Sequence, residues 1–309
     1  MNFQRLSKQK GINWLYEKIN LWVGKHYPLL SKKIKFRLIF KKKLNLKDPK
    51  LFSEKIQWLI FNYIIKNDQA IEAADKVGVR AFLDKKGLGH LKTPIIGIYD
   101  NVDEIDWKTL PNSFVIKKSN ASGQNAVVLD KKSTDLKALV QVVKKWKKTQ
   151  YGYRSGEMHY EMANSKLIVE PYIEGIDNDY KIFFLNGIPK MVQINRWFDY
   201  NNDLTVGHRK TAKLWVDLEG NILEIGVDDG EKIDKESFGT KVELPSSFKK
   251  MIEYGRILSD EFPLVRVDFF EIDDSPILGE LTFSPDSGLL IYNEHIQSWL
   301  GKELSLPVV

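Results

Sequence analysis

The order of apolar and polar positions divides the chain into short strand-like runs and longer segments with helical spacing. Apolar runs bounded by turn residues predict strands at 93–99, 114–117, 126–129, 167–172, 180–185, 190–195 and 214–216. Three- and four-residue apolar spacing predicts helices within 11–30, 50–86 (with Ser53 near a helix start), 134–148 and 246–260. Because antiparallel pairs of strands mix with occasional helices, the pattern favours an α+β fold over a doubly wound parallel sheet.

A hairpin near the C-terminal end carries the most informative charges. Two strand-like runs, 265–270 and 278–283, flank an Asp-rich turn. Pairing of these runs would put Asp268 beside Glu280, and the two-residue spacing of a strand puts Arg266 on the same face as Asp268. Two carboxylates and a guanidinium suit Mg²⁺ held against a nucleotide phosphate. An amphipathic hairpin with solvated charges is the alternative, and this segment alone supports both equally.

Composition excludes several classes of chemistry. The chain has 309 residues, 43% of them hydrophobic, which is enough for one large or two modest domains. It has no cysteine, which excludes disulfides, thiolate catalysis, zinc–thiolate sites and iron–sulfur clusters. The sequence shows neither a signal-peptide pattern nor a run of eighteen apolar residues. We therefore expect a cytoplasmic protein.

Positive charge is concentrated at the N-terminal end. Residues 1–50 contain 14 Lys/Arg and 2 Asp/Glu, a balance of +12, which leaves 33 basic and 39 acidic residues in the remainder, a balance of −6. An aromatic helical segment that Pro28 is expected to end precedes a lysine cluster at 32–43. Such a region can lie peripherally on the inner, anionic face of a membrane. The alternative is a basic helical hairpin packed on the body with solvated lysines. Nucleic acid is not the expected partner, because no recognisable binding module contains these residues.

The loop at 117–125 joins two predicted strands and is small and polar, with Gly123 free to adopt left-handed angles. Such a loop can fold over phosphates and offer backbone N–H groups, while Lys117 at the strand end supplies charge. The P-loop pattern GxxxxGK[ST] is absent from the sequence. Taken alone, the segment is more typical of an ordinary hairpin loop.

Two further segments could bind a ligand. The strand at 168–173 contains Pro171, which would free a strand edge to contact a flat heterocycle, and acidic residues that could accept ribose hydroxyls follow it; a solvated acidic turn is the alternative. The basic triplet at 208–210 follows Arg196 and would suit a carboxylate or sugar acid, although a solvated loop is equally supported. The sequence has no nucleophile elbow, no HExxH and no GxGxxG after a strand.

Seven stretches occur together in the order and spacing of one known family. They include D-K-V-G-V-R at 75–80, V-E-P-Y at 169–172 and G-E-L-T-F-S-P-D-S-G at 279–288. The other four stretches are 46–59, 114–117, 179–190 and 262–268. Across about residues 44–290 the chain resembles the TupA-like ATP-grasp family of bacterial surface-polysaccharide loci.

The resemblance implies two α+β subdomains that clasp ATP. It assigns residues 1–68 to a helical, basic N-terminal region and 69–309 to the ATP-grasp domain. Within that domain the flap-bearing subdomain would cover about 93–170 and the metal-binding subdomain about 171–309. Residues 1–68 lack the parallel α/β domain of larger ligases.

The family also implies residue roles. Lys76 and Lys117 resemble the lysines that contact ATP phosphates, and Arg266 resembles the arginine that steadies the transferred phosphoryl group. Asp268 and Glu280 resemble the carboxylates that hold two Mg²⁺ ions. The remaining ATP-binding positions are the flap residues Ser122, Gly123 and Asn125, the adenine hinge Glu170, Pro171, Tyr172 and Ile173, and the ribose-side pair Asp179 and Lys181.

Two positions depart from the family pattern. The flap at 120–125 has fewer glycines than is usual, and Thr282 stands where many ATP-grasp enzymes place an asparagine in the metal shell. A threonine hydroxyl can still act as an oxygen ligand for Mg²⁺.

The resemblance implies a carboxylate–amine ligase that uses ATP and Mg²⁺ to join an amino acid to a uronic acid of a capsule, O-antigen or cell-wall polysaccharide. The uronic acid would belong to a glycan or a sugar nucleotide, and Arg196, His208 and Arg209 are the candidates to hold it. A glycosyltransferase of the same pathway and a non-catalytic nucleotide- or glycan-binding protein are the alternatives.

Overall fold

The computed structural model describes residues 10–176, 178–197, 211–226 and 241–308. Within these ranges the helices are α1 (Lys10–His26), α2 (Pro28–Phe40), α3 (Phe52–Asn62), α4 (Asp68–Ala74), α5 (Gly78–Lys85), α6 (Leu136–Lys148), α7 (Tyr151–Ser155), α8 (His159–Met162), α9 (Phe248–Ser259) and α10 (Glu294–Glu303). The strands are β1 (Gly97–Tyr99), β2 (Phe114–Lys118), β3 (Asn125–Val128), β4 (Leu167–Pro171), β5 (Asn178–Leu185), β6 (Ile188–Trp197), β7 (Thr211–Val216), β8 (Leu264–Ile272) and β9 (Ser275–Thr282). Every predicted strand is confirmed, although the first is shorter than expected.

The strands form two sheets in which every neighbouring pair is antiparallel. The smaller sheet has the order β1-β4-β2-β3, and the larger has the order β7-β6-β5-β8-β9. Helices pack against both sheets, so the predicted α+β class is confirmed. Each sheet has a separate hydrophobic core.

The larger sheet is apolar on one face and polar on the other because side chains alternate along each strand. On β5, Phe184 is buried on the face that α9 covers, and a Cβ at Gly255 of α9 would lie 2.2 Å from its ring. Asp179 and Lys181 project from the opposite face. This polar face carries the candidate site.

The predicted C-terminal hairpin is confirmed as β8 and β9. Its two-residue turn, Asp273 and Asp274, has φ angles of 49° and 58°, as a turn that follows the twist of a hairpin requires. The register pairs Asp268 with Glu280, as the spacing predicts. Gly279 is the extra residue of a β-bulge next to this pair.

The structure agrees with two expectations about helix ends and adds detail to each. The aromatic helix α1 ends at His26, just before Pro28, as expected, and Pro28 also begins α2 as its first residue, where its missing N–H costs nothing. The third helix begins at Phe52, next to Ser53 as expected, and Glu54 accepts hydrogen bonds from the backbone N–H groups of Lys50 and Leu51 at 3.0 and 3.1 Å. The sequence pattern misses α7, α8 and α10.

The N-terminal helices α1 and α2 form a hairpin that packs on the body of the protein, as one of the two sequence interpretations expects. A Cβ at Gly24 would lie 1.9 Å from the carbonyl oxygen of Tyr153, so α1 approaches α7 very closely. Among the described residues, no helix is long and apolar enough to cross a bilayer.

Candidate ATP and metal site

Asp268 is the centre of the polar face of the larger sheet. It is 1% exposed and accepts two hydrogen bonds from Arg266, from Nε to Oδ1 at 2.7 Å and from Nη2 to Oδ2 at 2.8 Å. Lys181 lies directly opposite Asp268 in the sheet register and forms an ion pair with it. The Lys181 Nζ also lies 2.6 Å from Asp179 Oδ2. A carboxylate can remain buried here because two cations compensate for its lost hydration.

The network extends to Glu280 at the sheet edge. Arg266 Nη2 donates to Glu280 Oε1 at 3.3 Å, and the hydroxyl of Thr282 donates to the same oxygen at 3.2 Å. Burial alone would raise the pKa of Glu280, but Lys76, Lys181 and Arg266 outweigh it and hold the pKa below its usual range. The Glu280 side chain is 31% exposed, so this carboxylate is the accessible member of the pair.

Lys76 links this network to the flap loop. Its Nζ lies 3.5 Å from Glu280 Oε2 and donates to the carbonyl oxygen of Ala121 at 3.0 Å. Its backbone N–H donates to the carbonyl oxygen of Ser119 at 3.2 Å. One lysine thus contacts both Glu280 and the loop that contains Ala121.

The flap loop is anchored at its base and exposed at its tip. Asn120 Nδ2 donates to the carbonyl oxygen of Tyr160 at 2.7 Å, whereas Ser122 and Gly123 are exposed. Gly123 has a φ of +69° and nothing within 4 Å of the position that a Cβ would occupy. The tip can therefore present backbone N–H groups to an anion. Asn125 belongs to β3 and pairs with Lys117.

The second predicted lysine lies on the smaller sheet. Lys117 of β2 forms an ion pair with Glu170 of β4, with Nζ and Oε2 2.5 Å apart. Thr93 donates from its hydroxyl to the other oxygen of Glu170 at 2.8 Å. The pairing of β1 with β4 ends at Val169, so the predicted adenine hinge at 170–173 lies beyond the edge of β1.

The sequence matches the TupA-like ATPgrasp family model over residues 54–305. The chain belongs to the TupA-like ATP-grasp family. This membership confirms the predicted family and the predicted ATP-grasp fold class. A search of curated proteins found no match.

Solved structures with similarity to this family member include several ligases. The D-alanine–D-alanine ligase of Bacillus anthracis is 15% identical over 76% of this chain and 68% of its own, with a TM-score of 0.40. The Helicobacter pylori ligase of the same name is 17% identical over 82% and 67%, with a TM-score of 0.42. The L-amino acid ligase of Bacillus licheniformis is 14% identical over 69% and 43%, with a TM-score of 0.39. The ATP-grasp chain thus spans between about two fifths and two thirds of these proteins.

The donor set of the TupA-like site fits Mg²⁺. Asp268, Glu280 and Thr282 offer only oxygen atoms, and Mg²⁺ is commonly held by one or two carboxylates with phosphate oxygens and water completing the shell. No group of three or more His, Cys, Asp or Glu side chains converges anywhere in the described ranges. A site of two carboxylates that shares its metal with a nucleotide phosphate is consistent with both observations.

The residues predicted to lie on the ribose side of the candidate site are buried. Asp179 is 6% exposed, and burial raises its pKa to about 6, an effect that Lys181 opposes and Asp268 reinforces. Arg196, a predicted substrate contact, lies on β6 and donates from Nε to Asn178 Oδ1 at 3.1 Å. The other two substrate candidates, His208 and Arg209, lie outside the described residues.

Sequence reasoning missed one polar chain beside the flap. Tyr151 donates from its hydroxyl to Glu157 Oε2 at 3.4 Å, and Ser284 donates to Glu157 Oε1 at 2.6 Å. Burial, followed by the charge of Glu157, raises the pKa of Tyr151. Ser284 lies within the 279–288 stretch, but no motif includes Tyr151 or Glu157, and their contact with Ser284 joins residues far apart in sequence.

A strained turn after Glu280 was also not predicted. Asp286 and Ser287 both have left-handed backbone angles, with φ of 50° and 57°. Gln57 Nε2 and Lys32 Nζ donate to the carbonyl oxygen of Ser287 at 2.7 and 2.9 Å and hold the turn. Burial, opposed by Glu157, lowers the pKa of Lys32 to about 7. A buried lysine from α2 therefore supports a loop at the site.

Proposed function

We propose that this ATP-grasp protein catalyses ATP-dependent carboxylate–amine ligation. A substrate carboxylate oxygen attacks the γ-phosphorus of ATP, the bond to the β-phosphate oxygen breaks, and an acyl phosphate and ADP form. An amine then attacks the acyl carbon, loses a proton and expels inorganic phosphate. The observation that carries the proposal is the contact of Lys76 with both Glu280 and the flap loop, since it joins phosphate-binding and metal-binding elements in one site.

The cations of the site would stabilise charge that develops on the phosphoryl group. Lys76 and Lys117 are our candidates for the phosphate contacts, and Arg266 for the transferred group. Asp268, Glu280 and Thr282 would hold Mg²⁺, two ions by family analogy, which would supply neutralisation of the phosphate oxygens. Arg266 is fixed by two bonds to Asp268, so its guanidinium needs little reorganisation during the reaction.

The nucleotide would lie between the two sheets' polar edges. Glu170 and the backbone of Pro171, Tyr172 and Ile173 would contact adenine, while Asp179 and Lys181 would lie on the ribose side. Ser122, Gly123 and Asn125 would close over the phosphates and exclude water from the acyl phosphate. The exposure of Ser122 and Gly123 supports a loop whose tip can move onto a ligand.

We propose a uronic acid as the carboxylate and an amino acid as the amine. The family's association with surface-polysaccharide loci motivates this choice, and a glycan or sugar nucleotide would carry the uronic acid. Arg196, His208 and Arg209 are the candidates to bind its carboxylate. ATP use and the absence of cysteine support a cytoplasmic enzyme, and we place it at the inner face of the membrane because of the basic N-terminal region.

The test is ADP release by the full chain across a matrix of uronic acids and amino acids with Mg²⁺. We expect ADP to appear only when a specific acid and a specific amino acid are both present, with an amide product of matching mass. ADP release that does not depend on the amino acid would argue against ligation. Consumption of a nucleotide sugar without ATP would favour a glycosyltransferase.

A further inference from the structure

Helix α2 exposes an apolar strip although part of its buried side is polar. Ser31, Lys32 and Phe36 are buried against the body. Leu30, Ile34 and Leu38 are 50%, 47% and 44% exposed. These three leucine and isoleucine residues are four positions apart, so they form one strip along the helix. A surface helix normally places its apolar strip inward, which indicates that the outer strip has another partner.

Helix α1 carries a second exposed strip. Leu15, Ile19 and Trp22 follow at four- and three-residue spacing and are 54%, 52% and 56% exposed. Trp22 contacts Tyr27, the residue between the helices, with ring centroids 5.8 Å apart, so aromatic rings join the end of this strip to the start of α2. Of the fourteen large hydrophobic residues that are exposed within the described ranges, nine belong to this hairpin. We call the six residues of the two strips the hairpin face: Leu15, Ile19, Trp22, Leu30, Ile34 and Leu38.

Cationic side chains border the hairpin face. Lys33, Arg37 and Lys41 are exposed and alternate with the apolar residues of α2 at four-residue intervals. In the described part of the chain, Lys33 and Arg37 form no ion pair. This arrangement is complementary to an anionic lipid surface. The exposed leucines and tryptophan would contact the acyl chains beneath the headgroups, and the unpaired cations would contact the phosphates.

The hairpin is held in place by its other side, so the hairpin face is not covered by the body. Lys35 Nζ donates to the carbonyl oxygen of Arg154 at 2.7 Å, and Glu17 pairs with the Arg154 side chain at 3.0 Å. Lys32 contacts the Ser287 turn next to the site. A surface that binds through the hairpin would therefore have a fixed orientation relative to the ATP site.

We infer that the hairpin face is a membrane-binding surface that docks on anionic phospholipid headgroups. The inference rests on the proposed location at the membrane and is independent of the ligation chemistry. Apolar contact and attraction to anionic lipid both contribute to such binding, so it weakens on loss of either and in high salt. The anchored hairpin would present the site to an acceptor substrate held at that surface.

Co-sedimentation of the full chain with vesicles tests the inference. We expect binding to vesicles of phosphatidylcholine mixed with phosphatidylglycerol, and at least about tenfold weaker binding to phosphatidylcholine alone. The variant Leu30→Gln/Ile34→Gln/Leu38→Gln and the variant Lys33→Glu/Arg37→Glu should each lose about tenfold or more in affinity for the anionic vesicles. Ile188→Gln is the matched control, because Ile188 is 54% exposed on β6, outside the hairpin, and its variant should bind as the unchanged protein does.

Three results would overturn the inference. One is no binding of the unchanged protein to anionic vesicles, and another is equal binding by the hairpin variants and the Ile188 control. The third is a dimer in light scattering that the Leu30/Ile34/Leu38 variant converts to a monomer, since the face would then join two copies of the chain. ADP release without vesicles, measured for the same variants, reports separately on the ligase proposal and on folding.

Discussion

Lys76 Nζ lies 3.5 Å from Glu280 Oε2 while its other contact, at 3.0 Å, is the carbonyl oxygen of Ala121 in the flap loop. The pair joins the segment after α4 to the end of the β8–β9 hairpin. Glu280 is partly exposed and has its anionic form favoured by three cations, so it is available to a metal ion at neutral pH. This relationship makes Glu280 the residue whose charge can be tested with least disturbance of the fold.

Glu280→Gln should lower ATP turnover by about 100-fold or more while changing the free energy of unfolding by less than about 1 kcal/mol. The amide keeps an oxygen that can accept from Arg266 and Thr282, but it removes the negative charge proposed to hold Mg²⁺. ADP release and urea unfolding measure the two quantities. Glu303→Gln is the control, because Glu303 pairs with Lys190 at the surface, away from the site. Unchanged turnover in the Glu280 variant would refute the metal assignment.

Asp268→Asn should destabilise the protein more than Glu280→Gln does, although Asp268 and Glu280 are paired in the strand register. Asp268 is 1% exposed and compensates both Arg266 and Lys181, so its loss leaves two buried cations without a full counter-charge. We expect a loss of about 3–5 kcal/mol in the free energy of unfolding together with loss of turnover. Comparison of urea midpoints for the Asp268 and Glu280 variants measures the difference. Equal stability of the two variants would contradict the expected effect of the difference in burial between the two carboxylates.

Neighbouring lysines on β2 offer a matched test of the second phosphate contact. Lys117 pairs with Glu170 on the proposed ligand side, whereas the next side chain, Lys118, is buried on the opposite face and donates to the carbonyl oxygen of Thr149 at 2.7 Å. Lys117→Met should reduce kcat/KM for ATP by about 100-fold, and it should also lower stability because the buried Glu170 loses its counter-charge.

Lys118→Met should lower stability without the kinetic loss. It removes a buried hydrogen bond to Thr149, so we expect a loss of about 1–2 kcal/mol in stability and a kcat/KM for ATP close to that of the unchanged protein. Steady-state kinetics and thermal unfolding of both variants make the comparison. A larger loss in kcat/KM for ATP in the Lys118 variant than in the Lys117 variant would show that Lys118, and not Lys117, faces the ligand.

Local pattern was sufficient to predict the β8–β9 hairpin. Period-two spacing, the Asp-rich turn and the acidic residues at the strand edges lie within about twenty residues of sequence, so the pairing of Asp268 with Glu280 follows from them. The strands of both sheets were predictable for the same reason. The order and spacing of the seven stretches identified the family, which no single segment could do.

Long-range contacts account for what the sequence did not reveal. The apolar residues of α2 would normally be assigned to the buried side, yet Lys32 occupies that side because Ser287, far away in sequence, supplies acceptors for its ammonium group. Serine is a typical helix N-cap residue, but here the Glu54 side chain accepts from the backbone N–H of Lys50. The backbone N–H of Ser53 instead donates to Gln297 Oε1. The short helices α7 and α8 have too few turns for a periodic signal.

His159 should make the protein sensitive to acid. Its ring is 1% exposed and neither ring nitrogen has a hydrogen-bond partner in the described structure, and burial, aided by the positive charge of Lys32, lowers its pKa from 6.5 to about 3. Because the pKa is depressed in the folded state, the unfolded chain binds the extra proton first as the pH falls. The stability associated with neutral His159 is complete above pH 6.5 and is lost progressively towards pH 3.

His159→Phe removes this proton linkage and keeps a ring of similar size in the site. Between pH 7 and pH 5 the unchanged protein should lose about 2 kcal/mol more in its free energy of unfolding than the variant does, as measured by urea unfolding at both values. His295→Phe makes the same change at an exposed position and should retain the pH slope of the unchanged protein. Parallel pH slopes for the His159 variant and the unchanged protein would show that another group controls acid sensitivity. A shallower slope in the His159 variant alone would identify the buried imidazole as its source, because the two variants differ in whether the lost ring was shielded from water.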